Sequence, residues 1–147
     1  MTVARYIIDA SVIVAALLRP EADHVDARAV LQALAEHGAE LAAPSILLPE
    51  IASALARRGA AAADIEDIVA AIETLHAGHM APVDEDLARR SALLAARQRL
   101  RGCDAVYVAL AAENGAVLVS LDAEQRSRTP HGITALTPSE ILARLGR

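Results

Sequence analysis

Residues 6–18 read YIIDASVIVAALL: a short apolar run ends in an acid, and a longer apolar run follows at once. The first run, residues 6–8, favours a buried strand, whereas residues 11–18 favour a helix. Short β-favouring runs and longer segments of helical periodicity alternate in the same way along the rest of the chain. This alternation is typical of a parallel sheet flanked by helices, so the sequence predicts an α/β fold.

The remaining elements follow from the same two patterns. The clearest later strand is residues 117–120, and weaker strand candidates lie at residues 40–43, 80–83 and 133–136. Further helices are predicted at residues 25–37, 46–58, 62–75, 85–99, 105–114 and 139–145. Glycines stand at or near several of these helix ends and support them, because glycine readily adopts the left-handed conformation that ends a helix.

Length and hydrophobicity bound the organisation of the chain. Its 147 residues suffice for one ordinary domain, and we expect residues 1–147 to form a single domain. No apolar stretch approaches the roughly 20 residues that cross a bilayer, and Asp9 interrupts the only candidate for a signal peptide. The single cysteine, Cys103, suits a reducing compartment, so we expect a cytoplasmic protein without membrane attachment. The 54% content of hydrophobic residues favours a homodimer or a complex.

Charge and residue types exclude several classes of protein. The net charge of −5 argues against binding nucleic acid through a broad basic face, and two tyrosines are too few for a base-stacking platform. All 14 basic residues are arginine, which excludes lysine-dependent P-loop and Schiff-base chemistry. A serine nucleophile elbow and zinc-spaced cysteines are also lacking in the sequence. Chemistry by carboxylates is what remains.

Four acidic residues stand at junctions between predicted elements: Asp9, Glu50, Asp104 and Asp122, called the four acids below. Asp9 and Asp122 follow strands, at the sheet edge where binding crevices form, and the other two begin helices. Singly, each has an ordinary structural explanation: a helix N-cap for Asp9 and Asp104, a helix-dipole contact for Glu50, a turn for Asp122. Together, converging carboxylates repel one another, and a hard cation such as Mg²⁺ or Mn²⁺ removes that cost.

Four segments resemble the PIN-domain nucleases in order and spacing. They are DASVIVAALL at residues 9–18, PEIASAL at 49–55, CDAVYVALA at 103–111 and LVSLD at 118–122. The similarity extends over residues 6–136 and is greatest to the VapC-type toxins of bacterial toxin–antitoxin pairs. It implies a PIN-like three-layer α/β/α fold with a five-stranded parallel sheet, Mg²⁺- or Mn²⁺-dependent endoribonuclease activity on RNA, and control by a VapB-like antitoxin. The antitoxin is expected to lie against the helices at residues 11–18 and 25–37.

The resemblance also assigns residues. The four acids match the family's acidic catalytic and metal-site positions, with Asp9 and Asp104 as the best direct ligands. Ser11 stands two residues after the first acid, and Ser120, where the family more often has threonine, stands two before the last. Both serines are expected to support the metal shell. Whether Glu124 joins the site is left open.

Arginines beside these motifs are candidate contacts for RNA phosphates. They are Arg97, Arg99, Arg101 and Arg126. A structural alternative exists for the first three, since cations are favoured near the carboxyl end of a helix.

Two uncharged residues follow in the same region. Cys103 is expected to be a small buried apolar residue, and Tyr107 to belong to the core rather than to stack on a base.

Two alternatives to a nuclease remain open at this point. One is a catalytically inactive PIN-fold interaction module. The other is a Mg²⁺-binding, receiver-like signalling domain, which also gathers aspartates at strand ends. A receiver normally has adjacent acids and a lysine, and this sequence has neither arrangement.

Overall fold

The computed structural model describes residues 2–146, which form a five-stranded sheet and eight helices. The strands are β1 (Arg5–Ile8), β2 (Glu40–Pro44), β3 (Met80–Ala81), β4 (Val117–Val119) and β5 (Ala135–Leu136). The helices are α1 (Ala10–Leu17), α2 (His24–Glu36), α3 (Leu47–Arg57), α4 (Ala62–Leu75), α5 (Glu85–Gln98), α6 (Gly102–Asn114), α7 (Ala123–Arg128) and α8 (Pro138–Arg144).

The sheet has the order β3-β2-β1-β4-β5, and every neighbouring pair is parallel. Connections between parallel strands are right-handed. The chain runs in one direction across the sheet from β1 to β3 and in the opposite direction from β3 to β5, so the helices of these two parts lie on opposite faces of the sheet. Helix α6 packs on β1, β2 and β4 beneath α5, while α1, α2, α3 and α8 contact one another in a second group. The predicted three-layer α/β/α fold with a five-stranded parallel sheet is confirmed.

The core lies around the two central strands and α6. Ile7, Ile8, Leu118 and Val119 are fully buried, because β1 and β4 are covered on both faces. Helix α6 is buried continuously over residues 105–111, since it lies between the sheet and α5. Burying one such large aliphatic side chain contributes roughly 1.5–3 kcal/mol. The carboxyl ends of β1 and β4 are therefore held on a rigid base.

Several predicted boundaries were wrong. Strands predicted at residues 80–83 and 133–136 pair over two residues each, because β3 and β5 lie at the sheet edges and have a neighbour on one side only. Helix α6 begins three residues earlier than predicted, with Arg101 at its N-cap. Helix α7 was not predicted, because its six residues, AEQRSR, have no apolar periodicity.

The strand order also separates this fold from that of a receiver domain. Flavodoxin-like doubly wound proteins have the order 2-1-3-4-5, whereas here β1 is central between β2 and β4. The receiver-like alternative is therefore wrong. Within residues 2–146, none of the helices combines the length and the apolar character needed to cross a membrane.

Candidate active site

The candidate site lies where β1 and β4 end side by side. Asp9 directly follows β1, and its backbone N–H donates to the Val119 carbonyl at 3.0 Å. Asp122 lies three residues beyond the end of β4. The chain leaves β1 toward β2 on one side and later returns to β4 on the other, so this is the point where the strand order reverses. Crevices form at such points in open parallel sheets.

Asp9 is the most buried of the four acids, with 6% of its surface exposed. It is the N-cap of α1: its Oδ2 accepts the Ser11 backbone N–H at 3.0 Å. Its Oδ1 accepts the side-chain amide of Gln125 at 3.3 Å. Burial raises the pKa of Asp9, the hydrogen bonds from Ser11 and Gln125 oppose that rise, and the charge of Asp122 adds to it. The capping explanation is thus confirmed, but it accounts for only one of the two carboxylate oxygens.

Glu50 lies in the first turn of α3 and points toward α6. The Tyr107 hydroxyl donates to its Oε2 at 3.3 Å, and Tyr107 and the Cys103 side chain both act to lower the pKa of the carboxyl group. Its Oε1 is buried and has no hydrogen-bond partner. Burial, followed by the charge of Asp9, raises the pKa of Glu50 to about 7. A raised pKa together with an unpartnered oxygen shows that no positive charge compensates the Glu50 carboxylate.

Asp104 and Asp122 share one arginine. Arg101 Nε donates to Asp104 Oδ2 at 2.9 Å, and a terminal nitrogen of the same guanidinium bonds Asp122 Oδ2. Burial still raises the pKa of Asp104, although Arg101 opposes the rise. The N-cap explanation of Asp104 is wrong, because Asp104 lies inside the first turn of α6. Asp122 does cap a helix: its Oδ1 accepts the Gln125 backbone N–H at 3.0 Å.

A crevice of about 510 Å³ contains all four acids and is called the acid crevice below. It is lined by Asp9, Ala10, Ser11, Glu50, Arg101, Gly102, Cys103, Asp104 and Asp122. The mutual charge effects agree with this proximity, because Asp9 raises the pKa of both Glu50 and Asp104. Four acids from four separate segments of the chain therefore converge.

Comparison with known proteins places the fold in a family. The family model described as "PIN domain" matches residues 6–129. The chain belongs to the PIN domain family. No curated protein shows significant sequence similarity to it.

Solved structures share the fold of this PIN domain at low sequence identity. PAE2754 from Pyrobaculum aerophilum superposes with a TM-score of 0.67 at 23% identity, covering 99% of this chain and 98% of that one. The sarcin-ricin loop cleaving toxin VapC20 from Mycobacterium tuberculosis superposes with a TM-score of 0.69 at 18% identity, covering 88% of this chain and 98% of that one. A toxin–antitoxin complex from Klebsiella pneumoniae superposes with a TM-score of 0.66 at 19% identity, covering 90% of this chain and 97% of that one.

The donor set of the acid crevice fits a hard divalent cation. Carboxylate oxygens are the ligands that Mg²⁺ and Mn²⁺ prefer. The unpartnered Oε1 of Glu50 and its raised pKa both indicate uncompensated negative charge. As arranged in residues 2–146, however, no three acidic, imidazole or thiol groups stand close enough to hold one ion. Coordination of one ion by three or more of the acids would therefore require their side chains to move closer together.

The two predicted supporting serines lie beside the acids. The Ser11 hydroxyl accepts the Leu121 backbone N–H at 3.1 Å and so joins the start of α1 to the loop after β4. The buried Ser120 hydroxyl accepts the Asp122 backbone N–H at 3.0 Å. Each serine thus fixes a backbone segment that carries an acid.

The four predicted phosphate-contacting arginines occupy different places. Arg101 lines the acid crevice. Arg97 and Arg99 are exposed at the end of α5, where Arg99 adopts a left-handed cap with φ 56°. Arg126 donates to the Ser120 carbonyl at 2.9 Å. A contact of any of them with RNA stays a prediction.

Gln125 was missed by the sequence analysis. It is fully buried, and its side-chain amide donates to Asp9 Oδ1 and to the Asp104 carbonyl, both at 3.3 Å. With its backbone N–H bound by Asp122, it connects three of the acid-bearing segments. A signal was present: the spacing Asp122-x-x-Gln125 is that of an N-cap followed by a glutamine at the third helical position.

The predictions for the two uncharged residues had opposite outcomes. Tyr107 is fully buried, which confirms its assignment to the core. The prediction that Cys103 is buried was wrong, because the early start of α6 places it exposed in the acid crevice.

A second depression, called the α1–α3 groove, adjoins the acid crevice. It encloses about 700 Å³ and shares Ala10, Ser11, Glu50 and Cys103 with the crevice. Its other lining residues are Val14, Ala15, Glu21, Asp23, Ile46, Pro49, Ser53, Ala54, Arg57, Arg58 and Leu121. The groove is open between α1 and α3 and leads from the surface to the acids.

Proposed function

We propose that this PIN domain is an Mg²⁺- or Mn²⁺-dependent endoribonuclease, the toxin component of a type II, VapBC-type toxin–antitoxin pair. The observation that carries the proposal is the convergence of the four acids in one crevice of a PIN fold. PIN domains are generally nucleases, and a toxin that cleaves the sarcin-ricin loop has the same fold. An inactive interaction module has no need to maintain clustered carboxylates against their mutual repulsion.

The four acids would hold one or two ions, directly or through water. Bound there, the metal would lower the pKa of a water molecule and stabilise charge on the phosphate. Asp9 is already oriented for this role by Ser11 and Gln125. Glu50 contributes its unpartnered Oε1, and it has to release any bound proton first because its pKa is about 7.

The surroundings of the acids limit how RNA can be held. The chain carries a net charge of −5, so a phosphate approaches the acid crevice only after cations have compensated the carboxylates. Tyr107 is fully buried and unavailable for stacking on a base. The substrate is therefore held mainly through its backbone, by the metal and by Arg101 in the crevice.

The α1–α3 groove is the proposed seat of the antitoxin. A groove with Val14, Ile46 and Pro49 in its lining offers apolar contacts to a partner segment, and it leads to Glu50. A solved toxin–antitoxin complex contains the same fold. The sequence-based expectation placed the antitoxin against α1 and α2. Because the groove is bounded by α1 and α3, the partner would contact α3 in place of α2. We also propose that the toxin forms a homodimer.

The direct test is cleavage of defined RNAs by the purified chain with Mg²⁺, with Mn²⁺ or with EDTA. We expect cleavage with either metal and none with EDTA. Asp9→Asn is the matched control, because asparagine caps a helix about as well as aspartate but removes a ligand charge. Equal cleavage by wild type and Asp9→Asn, or cleavage that survives EDTA, would contradict the proposal.

A further inference from the structure

We propose that Arg101 is the internal counter-ion of the metal-free site: its guanidinium bridges Asp104 and Asp122, and it leaves them when a divalent cation binds. The inference rests on the proposed function, because it assigns metal binding to the same acids. It adds a residue of the chain that competes with the metal and thereby sets the metal concentration that the enzyme requires.

The geometry of the bridge is specific. Nε and one terminal nitrogen form a single edge of the guanidinium, and they bind Oδ2 of Asp104 and Oδ2 of Asp122. Two oxygens from different segments are thus held on one cationic edge, where a metal ion would otherwise draw them together. The charge of Glu124 also acts on Arg101. No second arginine of the described chain lines the acid crevice.

Arg101 is placed to leave without disturbing the fold. Its backbone is anchored at the N-cap of α6, whereas 68% of its side chain is exposed. Ion pairs this exposed are weak, because solvent screens them. A divalent cation among the same carboxylates would repel the guanidinium, since the two like charges would stand only a few ångströms apart. Bridge and metal therefore exclude each other.

Reciprocity follows from this exclusion. If the metal weakens the bridge, the bridge weakens metal binding by the same factor. A released Arg101 would remain tethered at the mouth of the acid crevice, with its guanidinium edge free for phosphate oxygens. The same residue then opposes metal binding before the substrate arrives and holds the RNA backbone afterwards.

The test is calorimetric titration of the full chain with Mn²⁺ in the absence of RNA. Arg101→Gln should bind Mn²⁺ about fivefold more tightly than wild type, which is the scale expected from losing two exposed ion pairs. Arg89→Gln is the matched control, because it removes the same charge and an exposed pair with Glu85 on α5. The control should leave Mn²⁺ affinity within about twofold of wild type.

A second readout separates competition from a purely structural role. At saturating Mn²⁺, Arg101→Gln should raise the KM for RNA while changing kcat little, so metal affinity and RNA affinity move in opposite directions. Arg101→Gln binding Mn²⁺ no more tightly than Arg89→Gln would overturn the inference. If wild type still cleaves RNA in that case, the proposed function stands. Failure of all three proteins to bind Mn²⁺ would overturn both.

Discussion

The side-chain amide of Gln125 donates to Oδ1 of Asp9 at 3.3 Å, although 116 residues separate the two along the chain. The same amide nitrogen reaches the Asp104 carbonyl, while Oε1 of Gln125 is buried without a partner. Burying an amide whose acceptor oxygen has no partner costs free energy of folding. A buried glutamine at this position therefore calls for an explanation, and its two donor bonds supply one. We conclude that Gln125 fixes the orientation of the Asp9 carboxylate from beneath the acid crevice.

Replacing Gln125 should therefore affect the metal site more than the fold. In Gln125→Leu, the lost donor bonds are partly offset by removal of the unpartnered oxygen, so stability in EDTA should change by only about 1 kcal/mol. The rise in melting temperature that Mn²⁺ produces should shrink clearly, because Asp9 is less well oriented. Gln32→Leu, at an exposed hydrogen bond on α2, is the control. An undiminished Mn²⁺ response in Gln125→Leu would count against this positioning role.

The raised pKa of Glu50 predicts a pH dependence of stability in EDTA. Because the folded-state pKa is about 7 against a reference value of 4.5, the folded protein binds this proton more tightly than the unfolded chain. The contribution is fully present below about pH 4.5 and is lost as the pH rises through about 7. Partial exposure of Glu50 screens the effect, so we expect a loss on the order of 1–2 kcal/mol.

Urea denaturation between pH 5.5 and 8 would measure this loss. Glu50→Gln keeps the side-chain shape and should flatten the profile in that range, since it cannot titrate. Asp9 and Asp104, whose pKa values are also raised by burial, contribute in the same direction. Burial lowers the pKa of His76, which destabilises the fold only below about pH 6.5 and so opposes the trend there. Identical profiles for wild type and Glu50→Gln would show that Glu50 is not perturbed.

The α1–α3 groove predicts a site-specific block of antitoxin binding. Ser53 is exposed and lines the groove, so Ser53→Arg should fill the groove without disturbing the core. Coexpression with the proposed antitoxin, tagged on the antitoxin, should copurify wild type but not Ser53→Arg. Ala56→Arg is the matched control, because Ala56 is exposed on α3 outside the groove lining. Equal recovery of both variants would place the antitoxin elsewhere.

Hydrophobic patterning was sufficient for the central part of the fold. The architecture was predicted from the apolar runs at β1 and β4 and from the helical periodicity of α1 to α6. Strands that are buried on both faces of a parallel sheet have continuous apolar sequences, and helices that pack on the sheet have apolar residues at helical spacing. The edge strands and α7 were harder to predict, since β3 and β5 pair on one side only and Gln125 is the one buried residue of α7. Tertiary context determines such elements.

The site was predictable only at the level of residue type and position. Acids at strand ends and helix starts pointed to the acid crevice, because the sheet topology brings such junctions together. That Arg101 bridges Asp104 and Asp122 could not be predicted, since a flexible side chain chooses its partners in three dimensions. Exposure of Cys103 was missed for another reason: it depends on where α6 begins, and helix ends are the least certain part of a sequence prediction.

The central claim, that the four acids form a metal site that cleaves RNA, is tested most directly with Asp104→Asn at saturating Mn²⁺. Because burial already favours the neutral form of Asp104, the substitution should leave stability in EDTA level or higher. Cleavage of a defined RNA should nevertheless fall by at least about 100-fold, since one ligand of the cation is lost. Full activity of Asp104→Asn, measured above a mock purification from cells without the protein, would contradict the account.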